Sequence, residues 1–104
     1  MARYDVYANP ETSERKHTPY VLDVQNDCID ALATRVVVPL RTEAAFGLRA
    51  RNLNPSFVVA ASTVVLDSAA LGAIPFSELR KPVASLRDER SAIQEALDTL
   101  FGAY

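Results

Sequence analysis

Few residues in this chain could perform chemistry, and they lie far apart in the sequence. His17 is the single histidine and Cys28 the single cysteine. His17 lies in a strongly polar stretch, and no serine or cysteine motif makes it the base that activates a nucleophile. Cys28 has no neighbouring cation in the sequence that would favour its reactive thiolate form. We therefore expect a solvated loop histidine, an incidental thiol and no catalytic residue.

The spacing of the other polar residues disfavours metal and phosphate sites. Asp23, Asp27 and Asp30 lack the intervening glycine and the terminal glutamate of a calcium loop. One cysteine and one histidine are too few for a structural zinc site or an intramolecular disulfide. Gly47 and Gly72 are isolated, so they form no glycine-rich phosphate cradle. We expect no metal ion and no cofactor.

The C-terminal segment has the clearest pattern in the chain. Apolar residues recur with a helical period from Leu86 to Leu100, and charged residues occupy the opposite face. Ser85 is a suitable N-cap and Gly102 a suitable stop. The pattern predicts an amphipathic helix between these two residues, with Asp88 in the first turn near the positive end of the helix dipole.

Two aromatic residues, Phe101 and Tyr104, lie at the very end of the sequence. A chain end normally frays and is polar, so these rings need a core, a second subunit or a partner to cover them. The pattern alone leaves two possibilities open. Phe101 closes the core while Tyr104 is a tolerated exposed ring, or the two rings form an apolar contact surface.

Six short runs rich in β-branched and aromatic residues precede the helix, with polar turns between them. The valines at 36–38 predict a strand buried on both faces and ended by Pro39, which cannot donate to the ladder. Ala61 and Ser62 alone separate the fourth and fifth runs, which predicts a tight hairpin. The fold class is therefore α+β and mainly β, a partly open antiparallel barrel or bent sheet of about five to seven short strands with a long C-terminal helix. The runs cover residues 3–8, 19–25, 34–40, 56–60, 63–67 and 69–76.

Composition and charge bound the class of protein. The 104 residues, 49% of them hydrophobic, suit a single domain over residues 1–104, small enough that an oligomer would add to its buried core. The net charge of −2 disfavours direct binding to nucleic acid or to an anionic membrane. No apolar run is long enough to cross a bilayer, and the first residues lack a signal-peptide pattern. We expect a cytoplasmic protein.

Two motifs and their order along the chain resemble a known family. LDVQNDCID covers residues 22–30 and RVVVPL covers residues 35–40, and they are followed by Ile74, Pro75 and the late helix. In this order the segments resemble the CcdB toxin family over essentially the whole chain. The resemblance implies an SH3-like barrel with a long C-terminal helix that forms a symmetric homodimer.

The same resemblance implies a function. Members of the family are non-enzymatic toxins of toxin–antitoxin pairs that poison DNA gyrase. Their paired helix ends enter the A subunit dimer of gyrase and trap the complex in which DNA is cleaved. A cognate antitoxin binds the toxin through a disordered segment and removes it from gyrase.

The resemblance also assigns the gyrase-binding positions, with some departures from the family pattern. The family tryptophan is replaced by Gly102, which offers no side chain to anchor a partner. A glycine is replaced by Ala103, an isoleucine by Tyr104 and an asparagine by Asp98, whose charge needs a partner or water. Phe101 and Tyr104 replace the lost anchor, or gyrase binding is weak. The implied contact residues are Cys28, Ile29, Asp98, Phe101, Gly102, Ala103 and Tyr104.

Two other functions stay open at this stage. A ribonuclease toxin of the Kid and MazF type, which resembles CcdB in fold, needs a general base and cations for the phosphate. Arg41, Arg49 or Arg51 with Glu43 could supply them, although the acidic net charge argues against RNA binding and a solvated surface also explains these arginines. The altered terminal residues instead suggest a relative without toxicity that only binds its antitoxin.

Overall fold

A computed structural model describes residues 2–29 and 31–102 of the chain, which form seven strands and two α-helices. Short 3-10 turns connect several of these elements. The helices are α1 (Glu43–Phe46) and α2 (Arg90–Phe101). The strands are β1 (Asp5–Ala8), β2 (Tyr20–Asp23), β3 (Thr34–Thr42), β4 (Ser56–Val59), β5 (Ser62–Leu66), β6 (Gly72–Pro75) and β7 (Ala84–Ser85).

The strands form one antiparallel sheet around β3. The order along the sheet is β4-β5-β3-β2-β1-β7, and β6 pairs with the first half of β3. β3 is nine residues long, so it can pair with β2 along one edge and with β6 and then β5 along the other. The sheet curls into a nearly closed barrel, which leaves β4 and β7 as its two end strands. The predicted fold class is confirmed.

The barrel interior and α2 share one hydrophobic core. Alternate residues of β1, β2, β3 and β5 point inward, as the two-residue period of a strand requires. Leu86 and the apolar stripe of α2 cover the open side of this interior. Each fully buried leucine or isoleucine contributes about 1.5–3 kcal/mol. The fully buried members are Val6, Leu22, Val38, Leu40, Val64, Leu66, Ile93 and Ala96.

A second, smaller cluster lies on the outer face of the sheet. It contains Tyr7, Val21, Val37 and Leu79, with Ile74 packed against it. Leu79 belongs to the segment between β6 and β7, so this segment covers the outer face of the central strands. β3 is therefore buried on both sides, as its run of valines predicted.

The start of the C-terminal helix differs from the prediction. Ser85 lies in β7, and its Oγ accepts the Arg87 N–H (3.3 Å) at the entrance to a 3-10 turn. The α-helix itself begins at Arg90. The reason is tertiary pairing, because the Leu86 N–H donates to the Tyr4 carbonyl (2.8 Å) and so extends the contact of β7 with the chain before β1. Asp88 consequently lies in the 3-10 turn and not in the first turn of α2.

The end of β3 also differs from the prediction. Pro39 does not end the strand, which continues through Thr42. Although Pro39 has no N–H to donate, its carbonyl accepts the Asp67 N–H (3.0 Å), and the strand continues because the residues after it pair with β5. The last predicted strand is shorter than expected, since residues 68–70 form a 3-10 turn before Gly72.

No helix within residues 2–29 and 31–102 is long and apolar enough to cross a membrane.

The hairpin between β4 and β5 contains a strained turn. Val59 pairs with Ser62, which leaves Ala60 and Ala61 as a two-residue loop. Both have left-handed backbone angles, with φ values of 50° and 66°. Two-residue hairpin turns of type I′ have positive φ at both central positions, and residues with a Cβ atom adopt it at a cost.

We predict that Ala61→Gly raises the free energy of unfolding by about 0.5–1 kcal/mol, because glycine adopts a positive φ without steric strain. Urea denaturation followed by circular dichroism measures this change. Ala44→Gly, in the ordinary helical backbone of α1, is the control and should leave stability equal to or below that of the wild type. An Ala61→Gly protein no more stable than the wild type would show that the turn is not strained.

Candidate protein-binding site

The end of α2 presents an exposed aromatic side chain. Phe101 is 71% exposed, so it does not close the core. Gly102 follows in the left-handed conformation, with φ 77° and ψ 40°, and its N–H donates to the Asp98 carbonyl (2.9 Å). The predicted helix stop is confirmed. Ala103 and Tyr104 lie outside the described residues.

The loop after β2 supplies a second exposed apolar surface. Cys28 is exposed and Ile29 is 49% exposed, within the 3-10 turn Asp27–Ile29. The Asn26 side chain shapes this turn, because its Oδ1 accepts the Cys28 N–H (2.9 Å). The Ile29 N–H donates to the Asn26 carbonyl (3.2 Å). We call residues 26–29 the contact loop.

A chain of polar contacts joins the contact loop to α2. The Arg3 N–H donates to Asp27 Oδ1 (2.8 Å), and Arg3 Nη2 donates to Gln94 Oε1 (3.1 Å). Gln94 Nε2 in turn donates to Asp98 Oδ1 (2.9 Å). The structure thus connects two regions that the family resemblance had paired, through Arg3 and Gln94, which the sequence analysis had missed. Neither residue has a motif or a spacing that would have identified it.

A buried ion pair joins the two strands that flank the contact loop. Arg35 Nε and Nη2 donate to the two carboxylate oxygens of Asp23 at 2.8 and 2.9 Å, with side chains only 4% and 0% exposed. This bidentate geometry is the strongest form of an arginine–carboxylate ion pair. The hydrogen bonds that Arg35 donates to Asp23 raise the pKa of Arg35, which therefore stays charged. Arg35 Nη2 also lies 3.5 Å from Asp27 Oδ1.

Gln25 connects this ion pair to the backbone of the contact loop through hydrogen bonds. Its side chain is buried, and its Nε2 donates to the Ile29 carbonyl (3.2 Å). Its Oε1 accepts the Val36 N–H (3.0 Å), and its own carbonyl accepts Arg35 Nη2 (3.2 Å). The contact loop is therefore fastened to β3 by backbone and side-chain hydrogen bonds.

A separate cavity of about 420 Å³ lies at the other end of β3. Glu14, His17, Arg41 and Asp67 are among its lining residues, and Arg41 Nη1 lies 3.6 Å from Asp67 Oδ2. His17 is exposed, as predicted, but it shares this cavity with an arginine and two acids that the sequence had not connected with it. Of the arginines that were considered for phosphate contact, only Arg41 lines this cavity.

Within the described part of the chain, no group of three or more His, Cys, Asp or Glu side chains is placed to hold a metal ion. Asp30, one of the three acids weighed for a calcium loop, lies outside that part.

These features define a small barrel domain with an exposed contact tip at the end of its helix. The family model described as CcdB protein matches residues 3–102. The chain belongs to the CcdB family, a family of toxins from toxin–antitoxin pairs and not a known enzyme family, and the resemblance seen in the sequence is confirmed. A comparison with curated proteins finds no match.

Tyr7 lies on the same outer face of the sheet as the buried ion pair. It is 1% exposed, and its hydroxyl has no hydrogen-bond partner among the residues that the structure describes. Burial, together with the charges of Asp5 and Asp23, raises the pKa of Tyr7 from 10.0 to about 12. Between these two values the unfolded chain loses a proton that the folded protein keeps. Stability therefore falls as the pH rises through this range.

We predict that Tyr7→Phe raises the free energy of unfolding at neutral pH by about 1 kcal/mol, because it removes a buried hydroxyl without a partner. The wild type's free energy of unfolding should fall by roughly 2–3 kcal/mol at alkaline pH because of Tyr7, and Tyr7→Phe should abolish this decrease. Denaturation with guanidinium chloride at several pH values between 7 and 12 checks both effects. Tyr20→Phe, at a partly exposed tyrosine, is the control and should keep the wild-type loss. An unchanged alkaline loss in Tyr7→Phe would refute the assignment.

Proposed function

We propose that this protein is the toxin of a toxin–antitoxin pair that binds the A subunit of DNA gyrase and traps the complex in which DNA is cleaved. It acts as a symmetric homodimer, and a cognate antitoxin neutralises it. The contact surface consists of the helix tip around Phe101 and the contact loop. Family membership supports the toxin class. The exposure of Phe101 is the observation that supports binding to gyrase through the helix tip.

Phe101 is suited to be the main anchor. Burying a phenylalanine that is 71% exposed contributes about 1.5–3 kcal/mol, which is typical of a central contact residue. The left-handed Gly102 ends the helix directly after it, so the ring is presented by the last residue of α2. Ile29 adds apolar area from the contact loop.

Dimer symmetry would compensate for the small size of this surface. A two-fold dimer presents two copies of the tip, and a two-fold gyrase A dimer can bind both at once. The second contact then forms at a high effective concentration and strengthens binding without any new type of contact.

The charge at Asp98 is compatible with this proposal. The family has an asparagine here, and a buried carboxylate without a partner would weaken binding. In this chain, Asp98 Oδ1 already accepts a hydrogen bond from Gln94 Nε2. One carboxylate oxygen is thus satisfied before any partner binds, and the other can face a donor of the partner.

We predict that Phe101→Ser weakens inhibition of gyrase supercoiling at least about tenfold, because a central apolar anchor is lost. Accumulation of cleaved DNA should fall in parallel, and truncation after Leu100 should abolish both effects. Phe76→Ser is a matched control, since Phe76 is 45% exposed but belongs to neither the tip nor the contact loop. Thermal unfolding should show that all the variants stay folded.

Two results would argue against the proposal. A Phe101→Ser protein that poisons gyrase as well as the wild type would show that the tip is not the anchor. A wild-type protein that binds its cognate antitoxin, without inhibiting gyrase or cell growth, would instead be a non-toxic antitoxin-binding relative.

The cavity at Arg41 favours one second candidate, a ribonuclease toxin. His17 and Glu14 could act as general acid and base there, and Arg41 could stabilise the charged phosphate. This candidate ranks second because Arg41 already lies beside Asp67 and the net charge is −2. Cleavage of a mixed RNA pool that is lost in His17→Ala and Arg41→Ala, but kept in Arg49→Ala, would support it.

A further inference from the structure

We propose that Arg3 is a positioning residue that holds the contact loop in a fixed placement relative to α2. This inference rests on the proposed function, because it concerns how the two halves of the gyrase contact are kept together. Arg3 itself need not touch gyrase. Its role is to make the two apolar surfaces, one on the loop and one at the helix tip, a single preformed site.

The two ends of Arg3 contact different halves of the site. Its backbone N–H donates to Asp27 Oδ1 (2.8 Å), in the same short turn as Cys28 and Ile29. Its guanidinium Nη2 donates to Gln94 Oε1 (3.1 Å), one helical turn before Asp98. In the described part of the chain, no side-chain hydrogen bond joins residues 26–29 directly to α2, so the polar connection between them runs through Arg3.

Arg3 is itself held in a defined position. The next residue, Tyr4, is buried, and its N–H donates to the Asp23 carbonyl (2.7 Å). The guanidinium carbon of Arg3 lies 5.0 Å from the centre of the Tyr4 ring, a distance at which a cation and an aromatic face attract each other. The backbone and the ring therefore orient Arg3 before it reaches Gln94.

The effect on binding should exceed the effect on stability. The bonds from Arg3 to Asp27 and Gln94 are exposed, and exposed polar contacts stabilise a fold only weakly. The contact loop is held to β3 through Ile29 and Asp27, but its route to α2 runs through Arg3. Without the Arg3 guanidinium, the three-residue turn would be freer to shift relative to the helix. A partner would then have to order the loop when it binds, which lowers the affinity.

The substitution Arg3→Ala tests this role selectively. It removes the guanidinium but keeps the backbone N–H that binds Asp27. Gln94→Ala removes the same contact from the other side, and the double variant completes a cycle. Arg87→Ala is the control, because this exposed arginine precedes α2 and its side chain makes no hydrogen bond or ion pair within the described residues. Arg3→Lys keeps a cationic donor that can still reach Gln94.

Loop motion provides a readout that does not depend on gyrase. Cys28 is the single cysteine and is exposed, so one nitroxide spin label there reports on the contact loop. We expect a more mobile electron paramagnetic resonance spectrum in Arg3→Ala and Gln94→Ala, with no further change in the double variant. Arg87→Ala should match the wild type, and Arg3→Lys should lie close to it.

Binding of the unlabelled proteins to the purified gyrase A subunit completes the test. We expect the Kd to rise about threefold to tenfold in Arg3→Ala and Gln94→Ala, again without additivity, while the thermal midpoint changes little. The inference is overturned if label mobility is unchanged in both variants. It is also overturned if the loss of affinity simply follows a loss of stability that Arg3→Lys does not restore. If the wild type does not bind gyrase at all, the proposed function fails, and label mobility still decides the role of Arg3.

Discussion

The buried ion pair between Arg35 and Asp23 is the interaction on which both the fold and the site depend. It joins β2 to β3 at the point where the chain leaves the sheet to form the contact loop. Neither charge is exposed, so removing one partner would leave the other uncompensated in the interior, at a cost of about 3–5 kcal/mol. The guanidinium also contacts the Gln25 carbonyl, and Gln25 binds the loop backbone. The placement of Ile29 therefore depends on a charge pair that Ile29 does not touch.

The position of this pair follows from the architecture of β3. This strand carries one hydrophobic cluster on each face, so any polar group on it must find a partner inside the protein. Arg35 lies at the end of the strand where the outer cluster stops and the loop begins. A charged residue can be tolerated there because Asp23 accepts two of its hydrogen bonds and the Gln25 carbonyl accepts a third. The same geometry that completes the fold at this end also anchors the contact loop.

Local periodicity predicted much of the fold, and tertiary pairing explains most of what it missed. The apolar stripe from Leu86 to Leu100 is correct, because one face of α2 must be buried. The helix start is wrong because Leu86 is drawn into pairing with Tyr4, which no local pattern reveals. Pro39 was expected to end its strand, but β3 continues because the residues after Pro39 pair with β5.

The candidate site was predictable only in part. The contact loop and the helix tip came from a family resemblance and from aromatic residues at a chain end. Arg3 and Gln94 lie 91 positions apart and look like ordinary surface residues, so only the folded structure shows that they meet. The cavity around His17 was also hidden, because it forms where the segment between β1 and β2 folds back over β3.

The incomplete closure of the barrel leaves β4 as an end strand, with Val58 on it 68% exposed. An unpaired strand edge can accept a strand from another molecule, so it is a starting point for self-association in crowded solutions. Its four residues limit how far such pairing could extend. In concentrated preparations, we therefore expect self-association by strand pairing to begin at this edge.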